Sequence, residues 1–311
     1  MRKRLLLLLN GTAGKGKLGS SVYNIVKYFT LNGFDVVFRP VEPTAGLGSE
    51  DVMARVGGEF DYIVCGGGDG TLNHVINGLM KFREEDRPIL GYIPAGSTND
   101  FAKNMGIPVT VSGACRTIAT GVPFKYDIGR LNNRYYNYVG AFGAFTKVTY
   151  STNQTFKNAI GHAAYLLQAM STLQENINYS ARIKFSADSF ETEGDYVFGA
   201  IYSSSSVGGF AVPGNKTISL DDGTFEMLLI NKPANFYELS ATANALVNGK
   251  FDNKYISFHR VKKVSISSED EISWTLDGEY GGSFKNMEFE VQKHAITIMT
   301  PARRSGSSGR K

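Results

Sequence analysis

Cysteine and histidine are scarce in this sequence. Its 311 residues include two cysteines, Cys65 and Cys115, and four histidines. The cysteines lie far apart and match no metal-ligand spacing, so neither a cysteine-based metal site nor a disulfide framework is expected. The histidines are equally scattered and form no recognisable zinc cluster: His74, His162, His259 and His294. A reducing cytoplasm is therefore the expected compartment.

Long apolar runs are also missing. The run Leu5–Leu9 follows three basic residues and ends at Asn10, so it is too short for the apolar core of a signal peptide. No segment approaches the ~20 apolar residues that a membrane-spanning helix needs. Any contact with a membrane is therefore expected to be peripheral.

Positive charge is only in slight excess over negative charge. The formal net charge is +4 at pH 7, which favours approach to anionic surfaces or phosphates but is too weak to indicate a nucleic-acid partner. The hydrophobic fraction of 42% is typical of a globular protein with buried cores. The length favours two domains.

Residues 1–125 alternate between strand-like and helix-like segments. Strands are predicted at Leu5–Leu9, Asp35–Phe38, Tyr62–Cys65 and Ile89–Ile93. Helices are predicted at Lys17–Leu31, around Val52–Val56, at Leu72–Met80 and from about Asn99. This alternation predicts βαβ units, and so an α/β domain with a parallel sheet and helices on both faces.

Residues 126–294 have a different pattern, rich in turns and short strands. Asn132-Asn133 is predicted to be a hairpin turn, and one helical interruption is expected around Phe156–Leu173. Short strands are predicted at Val264–Ser267, Ile272–Leu276 and Phe289–Val291. This part is predicted to be an antiparallel β domain, and residues 295–311 are a candidate segment for packing back on the first domain.

The strongest chemical signal is the run Cys65-Gly66-Gly67-Gly68-Asp69-Gly70-Thr71, between a predicted strand and a predicted helix. Glycines let backbone N–H groups approach an anion, and the following helix presents its positive end. The glycine spacing fits neither the Walker motif nor the dinucleotide fingerprint. A carboxylate beside a bound phosphate needs a cation between them, so Asp69 indicates Mg²⁺.

Two other polar loops follow predicted strands. Asn10-Gly11-Thr12-Ala13-Gly14-Lys15-Gly16 follows the first strand, and Pro94-Ala95-Gly96-Ser97-Thr98-Asn99-Asp100 follows the fourth. Ligands of open parallel sheets bind outside the carboxyl ends of the strands, so the three loops predict one pocket. We also expect Ser97 or Asn99 to cap the next helix.

Together these segments resemble the catalytic family of diacylglycerol kinases, which also includes sphingosine and ceramide kinases. The resemblance rests on Gly67–Thr71 and on Pro94-x-Gly96-Ser97-x-Asn99-Asp100. Further matches are Asn10 with Gly14, Asp127-Ile128-Gly129, Asp221-Asp222-Gly223 and Leu276-Asp277-Gly278-Glu279. It spans nearly the whole chain and is greatest to the compact bacterial soluble members. Ser97 and Gly11 depart from the family pattern, which usually has Thr and Pro at these positions.

The resemblance implies an NAD kinase/diacylglycerol kinase-like fold. The first domain would be the α/β ATP-binding domain, and residues 126–294 an antiparallel β-sandwich that binds the lipid. ATP would occupy the crevice between the domains. The implied ATP-binding residues are Asn10, Gly11, Thr12, Gly66, Gly67, Gly68, Asp69, Gly70, Thr71, Gly96, Ser97 and Asn99.

The resemblance also implies catalytic roles for three carboxylates. Asp69 would work with the catalytic Mg²⁺, Asp127 would support the magnesium network, and Glu279 would be the general base on the lipid hydroxyl. Asp221 would bind a structural Mg²⁺. From spacing alone, Glu279 is equally well an ordinary charged hairpin tip, and Asp221-Asp222-Gly223 a simple turn.

The function that follows is an ATP- and Mg²⁺-dependent lipid kinase, with diacylglycerol as the favoured acceptor and phosphatidic acid as product. A sphingoid base or a polyprenol presents the same chemistry. The lipid is expected to enter an apolar cleft lined from Tyr138–Phe145, although sheet packing explains those aromatics equally well. Peripheral association with the inner membrane surface is expected, and a homodimer is compatible with the sequence.

Two other functions remain open at this stage. An NAD kinase shares a Gly-Gly-Asp-Gly-Thr loop, but it is expected to carry an Asn-Glu pair after that loop, where this chain has Asn73-His74. A catalytically silent lipid-binding or regulatory protein on the same fold is the second alternative. Loss of Asp69 or Glu279 would be its expected mark, and both are present.

Overall fold

Two compact units make up the chain: Met1–Tyr126 with His294–Lys311, and Asp127–Lys293. The structure is a computed structural model, and it describes residues 2–11, 13, 16–42, 46–56, 58–143, 180–204, 206–207, 210–211, 218–247 and 254–302. None of the helices in these ranges has the length and apolar character that a bilayer-spanning helix requires.

A parallel sheet forms the centre of the first unit. Its strands, in spatial order, are β2 (Phe34–Pro40), β1 (Lys3–Leu9), β3 (Tyr62–Gly67) and β4 (Ile89–Pro94). β1 pairs in parallel with β2 and with β3, and β3 pairs in parallel with β4. The run Leu5–Leu9 is buried throughout, as expected for a central parallel strand that is covered on both faces.

Helices follow the strands of this unit. Among the described residues they are α1 (Lys17–Leu31), α2 (Ser49–Val56), α3 (Asp69–Leu79), α4 (Asp100–Asn104) and α5 (Val111–Thr120), with a 3₁₀ turn at Glu84–Asp86. α1 has the predicted bounds and buries Leu18, Ile25 and Phe29 on one face. The chain leaves this helix at Asn32 and Gly33, whose φ of 89° suits glycine.

The long strand β15 (Glu279–Thr300) ends in the first unit. There, Ile298 pairs in parallel with Leu90 of β4. The Arg87 guanidinium donates to the Ala295 carbonyl at 2.9 Å. The last residues of the described chain therefore add a further strand beside β4.

The second unit contains a large antiparallel sheet. Besides β15, its strands are β5 (Val122–Leu131, which begins in the first unit), β6 (Arg134–Tyr136), β7 (Val139–Gly143), β8 (Ala181–Ala187), β9 (Phe190–Tyr202), β12 (Phe225–Asn231), β13 (Ile256–Val261) and β14 (Lys263–Leu276). β10 (Ser206–Val207) and β11 (Phe210–Ala211) form a separate two-stranded antiparallel sheet. In the large sheet the spatial order is β13-β12-β9-β7-β14-β15, while β8 pairs with both β9 and β14. The predicted turn at Asn132-Asn133 is confirmed, since it joins β5 and β6.

Aromatic side chains make up a large part of the core of this unit. Trp274 and Phe142 are about fully buried, at 1% and 0% exposure, and their ring centroids lie 5.0 Å apart. The ring of Phe185 is stacked against that of Phe142, with their centroids 6.4 Å apart. Phe142, from the segment Tyr138–Phe145 that was a candidate lining of a lipid cleft, therefore belongs to the core. For this residue the alternative explanation, ordinary packing of the sheet, applies. Phe145 lies outside the described residues.

One helix of this unit was not predicted. α6 (Phe236–Val247) interrupts the strands, whereas the sequence predicted a single helix around Phe156–Leu173, which lies outside the described residues. The side chain of Asn235 accepts a hydrogen bond from the Glu238 amide at 2.9 Å, and the Glu238 carboxylate accepts one from the Ala234 amide at 2.8 Å. This arrangement is close to a capping box, and its Asn-x-x-Glu spacing was the signal that was missed.

Candidate active site

Backbone hydrogen bonds join the loops that follow β1, β3 and β4. The Asn10 amide donates to the Gly66 carbonyl at 2.9 Å, and the Ala95 amide donates to the Gly67 carbonyl at 2.8 Å. The Ala13 amide donates to the Asn10 carbonyl at 3.2 Å. The three loops therefore lie together at the carboxyl edge of the parallel sheet, where ligands of such sheets bind.

The glycines of the second loop allow close packing rather than unusual backbone angles. Gly66 and Gly67 complete β3, and Gly68 has an ordinary φ of −85°. A Cβ atom on Gly67 would lie 2.6 Å from the Cβ atom of Thr71, and one on Gly96 would lie 2.9 Å from the Cα atom of Gly68. The surface between the two loops is consequently made of main chain, which suits an anion held by N–H groups.

Asp69 opens α3, with its carboxylate beside the third loop. One carboxylate oxygen accepts from the Tyr92 hydroxyl at 3.4 Å. The other accepts from the Asp100 amide at 3.3 Å and from the Thr98 hydroxyl at 3.5 Å. The positive end of the α3 dipole also stabilises a negative charge at this position. Asp69 is only partly buried, so its carboxylate remains accessible to a cation.

Tyr92 is a residue of this site that the sequence analysis missed. It lies on β4 with 0% exposure, and its hydroxyl also reaches the Gly67 carbonyl at 3.2 Å. Burial raises the pKa of the Tyr92 phenol well above its usual value, and the negative charge of Asp69 adds to the effect. The phenol thus stays protonated and can donate. A hydroxyl-bearing residue in the otherwise apolar β4 could have drawn attention to it.

Asn99 occupies the N-cap position of the helix after the third loop, as expected, but the expected capping hydrogen bond is absent. α4 begins after Asn99, whose φ of 51° is left-handed, and the Asn99 side chain makes no cap bond. Its amide group instead bonds to Gly96 in both directions: the Gly96 amide donates to Oδ1 at 2.8 Å, and Nδ2 donates to the Gly96 carbonyl at 3.0 Å. The Asn99 side chain closes the loop, and Ser97 is left exposed.

The remaining ATP-binding candidates lie around the same edge. Gly11 is exposed at the start of the first loop, with open space around the position of a Cβ atom. Gly70 and Thr71 belong to the first turn of α3. Thr12 lies outside the described residues.

Two further candidate carboxylates, Asp127 and Asp221, belong to the second unit. Asp127 is buried, at 1% exposure, and its carboxylate accepts from the Gly223 amide at 2.5 Å. The Asp221 carboxylate accepts from the Ser219 hydroxyl at 2.6 Å. Gly223 has a φ of 79°, so Asp127 fastens a tight turn that begins at Asp221. The described residues contain no group of three or more His, Cys, Asp or Glu side chains arranged to hold a metal by themselves.

Glu279 is placed at a different turn of the second unit. It is exposed and begins β15, directly after Asp277 and Gly278, whose φ angles are 53° and 91°. The neighbouring Asp277 points inward and is only 5% exposed. This buried carboxylate was not predicted from the sequence, because an Asp-Gly pair indicates an ordinary hairpin turn and does not show what the aspartate contacts.

A family model and individual known proteins all match this chain to one family. The family model "Diacylglycerol kinase catalytic domain" matches residues 4–131. A diacylglycerol kinase of Bacillus subtilis (strain 168) is 30% identical over 299 residues, which are 96% of this chain and 96% of that protein. A diacylglycerol kinase of Staphylococcus epidermidis (strain ATCC 12228 / FDA PCI 1200) is 31% identical over 304 residues, 97% of this chain and 93% of that protein.

The fold is shared with a solved structure as well. A crystal structure of a diacylglycerol kinase from Bacillus anthracis str. Sterne matches with a TM-score of 0.72 and 22% identity, covering 96% of this chain and 97% of that one. Since relatives of about 30% identity match over nearly the whole of both chains, this protein belongs to the diacylglycerol kinase family and is a phosphotransferase with an alcohol group as acceptor.

Proposed function

We propose that this protein transfers the γ-phosphoryl group of ATP, with Mg²⁺, to the hydroxyl group of diacylglycerol and so forms phosphatidic acid. The observation that carries the proposal is the main-chain surface between Gly68 and Gly96, beside the carboxylate of Asp69. The names of the relatives supply the choice of acceptor.

The residues of the first unit fit a nucleotide with its metal. A Cβ atom at Gly96 would fall 2.9 Å from Gly68, so the surface offers backbone groups without side chains in the way. Mg²⁺ in kinases is commonly bound by one or two carboxylates together with the phosphates of the substrate. Asp69 would provide such a carboxylate, and Asn10, Gly11, Thr12, Gly66–Thr71, Gly96, Ser97 and Asn99 would bind the nucleotide.

The chemistry needs positioning and charge neutralisation more than covalent catalysis. When bound, ATP supplies the phosphoryl group and Mg²⁺ neutralises charge on its phosphates. Asp69, oriented by the Tyr92 hydroxyl and the Asp100 amide, would bind the cation. Glu279, exposed at the start of β15, would accept the proton of the lipid hydroxyl as its oxygen attacks the phosphorus.

The two carboxylates of the second unit are proposed to have supporting roles. Asp127, through its bond to the Gly223 amide, would hold the turn that begins at Asp221. Asp221 is the proposed ligand of a structural Mg²⁺, with Asp127 supporting the magnesium network. The second unit as a whole, for which we predicted a β-sandwich, would bind the lipid.

Because the acceptor resides in a membrane, we propose that the protein binds peripherally to the anionic inner surface of the cytoplasmic membrane. The net charge of +4 supports this. Flotation with vesicles of phosphatidylcholine and 30% phosphatidylglycerol, a chosen composition of about the charge of an anionic membrane, would test it. Protein that stays at the bottom of the gradient would contradict the proposal.

Sedimentation in the same buffer would establish whether the protein is a homodimer.

The acceptor is tested by a panel of alcohols in mixed micelles, with γ-labelled ATP and Mg²⁺. Diacylglycerol, a sphingoid base and a polyprenol are offered separately, and NAD is offered in solution. We expect label in phosphatidic acid, and we expect Asp69→Asn to abolish it while the fold is kept. Label in another lipid would show that this lipid, and not diacylglycerol, is the acceptor. Label in NAD would show that the protein is an NAD kinase.

The NAD kinase alternative has little support from the site. At the position where such an enzyme is expected to carry the glutamate of an Asn-Glu pair, this chain has His74. Its side chain is half-exposed and lies 3.5 Å from the Glu50 carboxylate. A catalytically silent protein would bind ATP and transfer label to no acceptor, so the same panel distinguishes it.

A further inference from the structure

A two-residue turn presents Glu279. Leu276 pairs with Glu279 across β14 and β15, and Asp277 and Gly278 form the reversal between them. Both have positive φ, 53° and 91°, as in a type I′ hairpin turn. Asn-Gly suits this turn as well as Asp-Gly does. The turn conformation therefore does not by itself require a carboxylate at residue 277.

The carboxylate of Asp277 nevertheless accepts four hydrogen bonds. Oδ2 accepts from the Asn137 amide at 2.7 Å and from Asn137 Nδ2 at 3.0 Å. Oδ1 accepts from the amides of Tyr138 and Val139 at 3.0 Å and 3.2 Å. The Asp277 amide also donates to the Val139 carbonyl at 2.8 Å. Several N–H donors of this kind stabilise an ionised carboxylate even when it is buried.

The phenol of Tyr136 is a buried neighbour of Asp277. Tyr136 is 1% exposed, and burial raises the pKa of its phenol well above the usual value. The nearby negative charge of Asp277 is the second cause of this shift. Tyr136 and the Asp277 carboxylate are thus neighbours inside the second unit, and the hydrogen bonds of the carboxylate lead to the segment 137–139.

That segment leads directly into β7, which is a neighbour of β14 in the sheet. Leu276 pairs with Gly140, and Thr275 pairs with Ala141. The Asp277 carboxylate therefore ties the turn before Glu279 to the strand that runs alongside it. An amide at position 277 would keep the turn but would place an NH₂ group against N–H donors.

We propose that Asp277 is a positioning residue for Glu279. Its buried carboxylate holds the Asp277-Gly278 turn to residues 137–139 and so fixes the backbone from which the Glu279 side chain projects. The inference rests on the proposed function, which assigns the general base to Glu279. It predicts that the carboxylate at position 277 matters to the chemical step beyond its contribution to folding.

The test compares Asp277→Asn with the parent in the diacylglycerol transfer assay. We expect the variant to fold, with unchanged KM for ATP, and to lose about 100-fold in kcat, the scale expected for a misplaced catalytic group. A kcat within threefold of the parent in the folded variant would overturn the inference.

Asn132→Ala is the matched control. Asn132 has a φ of 50° in the two-residue hairpin between β5 and β6, and its side chain accepts from the Glu288 amide at 3.0 Å. Like Asp277→Asn, Asn132→Ala disrupts side-chain hydrogen bonding between a hairpin turn and another segment of the second unit. We expect a lower melting temperature and parental kcat, and an equal loss of kcat in both variants would also overturn the inference.

Asn137→Ala is the second variant, used if Asp277→Asn does not fold. It removes one of the four donors and keeps the carboxylate. We expect kcat to fall by about tenfold, with faster hydrogen exchange at Tyr138 and Val139. Parental kcat and parental exchange would overturn the inference.

The variant Glu279→Gln distinguishes a failure of this inference from a failure of the proposed function. If the parent is active, Glu279→Gln is inactive and Asp277→Asn is fully active, the inference fails and the proposed function stands. If Glu279→Gln retains parental kcat, the assignment of the base fails, and the inference fails with it. A parent that phosphorylates no lipid overturns both.

Discussion

Gly68 and Gly96 bring two loops of the first unit into main-chain contact, and each belongs to a different strand end. Both loops have only the backbone at their point of closest approach. A Cβ atom on Gly96 would lie 2.9 Å from Gly68 and would have to push apart the surface to which we assign the phosphates, whereas a Cβ atom on Gly68 would lie at an ordinary 3.4 Å from Gly96. At the residue scale, therefore, Gly96 must be a glycine to leave room for this contact.

Gly96→Ala tests this need for space. Its Cβ atom would lie 2.9 Å from Gly68 Cα and 3.0 Å from Asn99 Oδ1. We expect the free energy of unfolding to fall by about 1–3 kcal/mol, as for other overpacked sites, and the affinity for ATP to fall as well. Denaturation and ATP titration measure both. Gly58→Ala is the control, because the nearest atom to its Cβ would be the Asp86 carbonyl oxygen at 3.9 Å, and parental values in Gly96→Ala would contradict the account.

Glu226 gives a second prediction at this scale, concerning pH. Its side chain is 2% exposed, its Oε1 lies 3.6 Å from Arg260 Nε, and its Oε2 has no hydrogen-bond partner within the described residues. Burial raises the pKa of Glu226 to about 7, the charge of Arg260 opposes this shift, and the charge of Asp222 adds to it.

The sign follows from the two pKa values. Between the unfolded value near 4.5 and the folded value of about 7, the folded state binds more protons than the unfolded state. Stability from this group is therefore complete below pH 4.5 and is lost as the pH rises towards 7. We expect Glu226→Gln to stabilise the protein by about 1–3 kcal/mol at pH 8, and by less at pH 5.

Urea denaturation of Glu226→Gln at both pH values measures this effect. Glu193→Gln is the control. Glu193 is half-exposed and paired with Arg182 at 2.9 Å, so we expect a change below about 1 kcal/mol at either pH. An equal stabilisation by Glu226→Gln at pH 5 and pH 8 would contradict the assigned cause.

At the scale of elements, α6 shows how a helix is set by its first turn. The Asn235 side chain satisfies the Glu238 amide, which has no partner inside the helix. We expect Asn235→Ala to lower the free energy of unfolding by about 1 kcal/mol, and Asn235→Ser, which keeps an acceptor, to lower it much less. Thermal denaturation measures both. Equal losses in the two variants would show that the cap bond does not contribute.

The sequence predicted elements well where one periodicity persists. α1 has the predicted bounds because its apolar spacing and its Asn32-Gly33 end both indicate the same helix. β1 was predicted as Leu5–Leu9 and begins at Lys3. By contrast, β14 was predicted in two short pieces, since its exposed residues between Ser267 and Ile272 lack alternation.

The site was predictable in the same uneven way. The three loops of the first unit could be grouped from sequence because all parallel strands end at one edge. The roles of Asn99 and Tyr92 could not, since they depend on side-chain directions within the folded loop. The contacts of Asp277 were also inaccessible, because their partner Asn137 lies 140 positions away in the chain.

At the scale of the whole molecule, the chain returns to its first unit after completing the second. The Arg87 guanidinium holds the Ala295 carbonyl, although 208 positions separate the two residues. Nothing local in the sequence specifies this pairing. The first unit is thus completed only when the end of β15 is in place, and we expect Arg87→Ala to lower the melting temperature of the protein. An unchanged melting temperature would mean that this contact adds no stability.

The central claim is that ATP-dependent phosphorylation of diacylglycerol requires Asp69. The most direct measurement is a single incubation of the protein with γ-labelled ATP, Mg²⁺ and diacylglycerol in mixed micelles, in parallel with Asp69→Asn. We predict that ADP and labelled phosphatidic acid form in equal amounts with the parent protein, and that neither forms with the variant. Hydrolysis of ATP without labelled lipid, or equal transfer by the variant, would contradict the account.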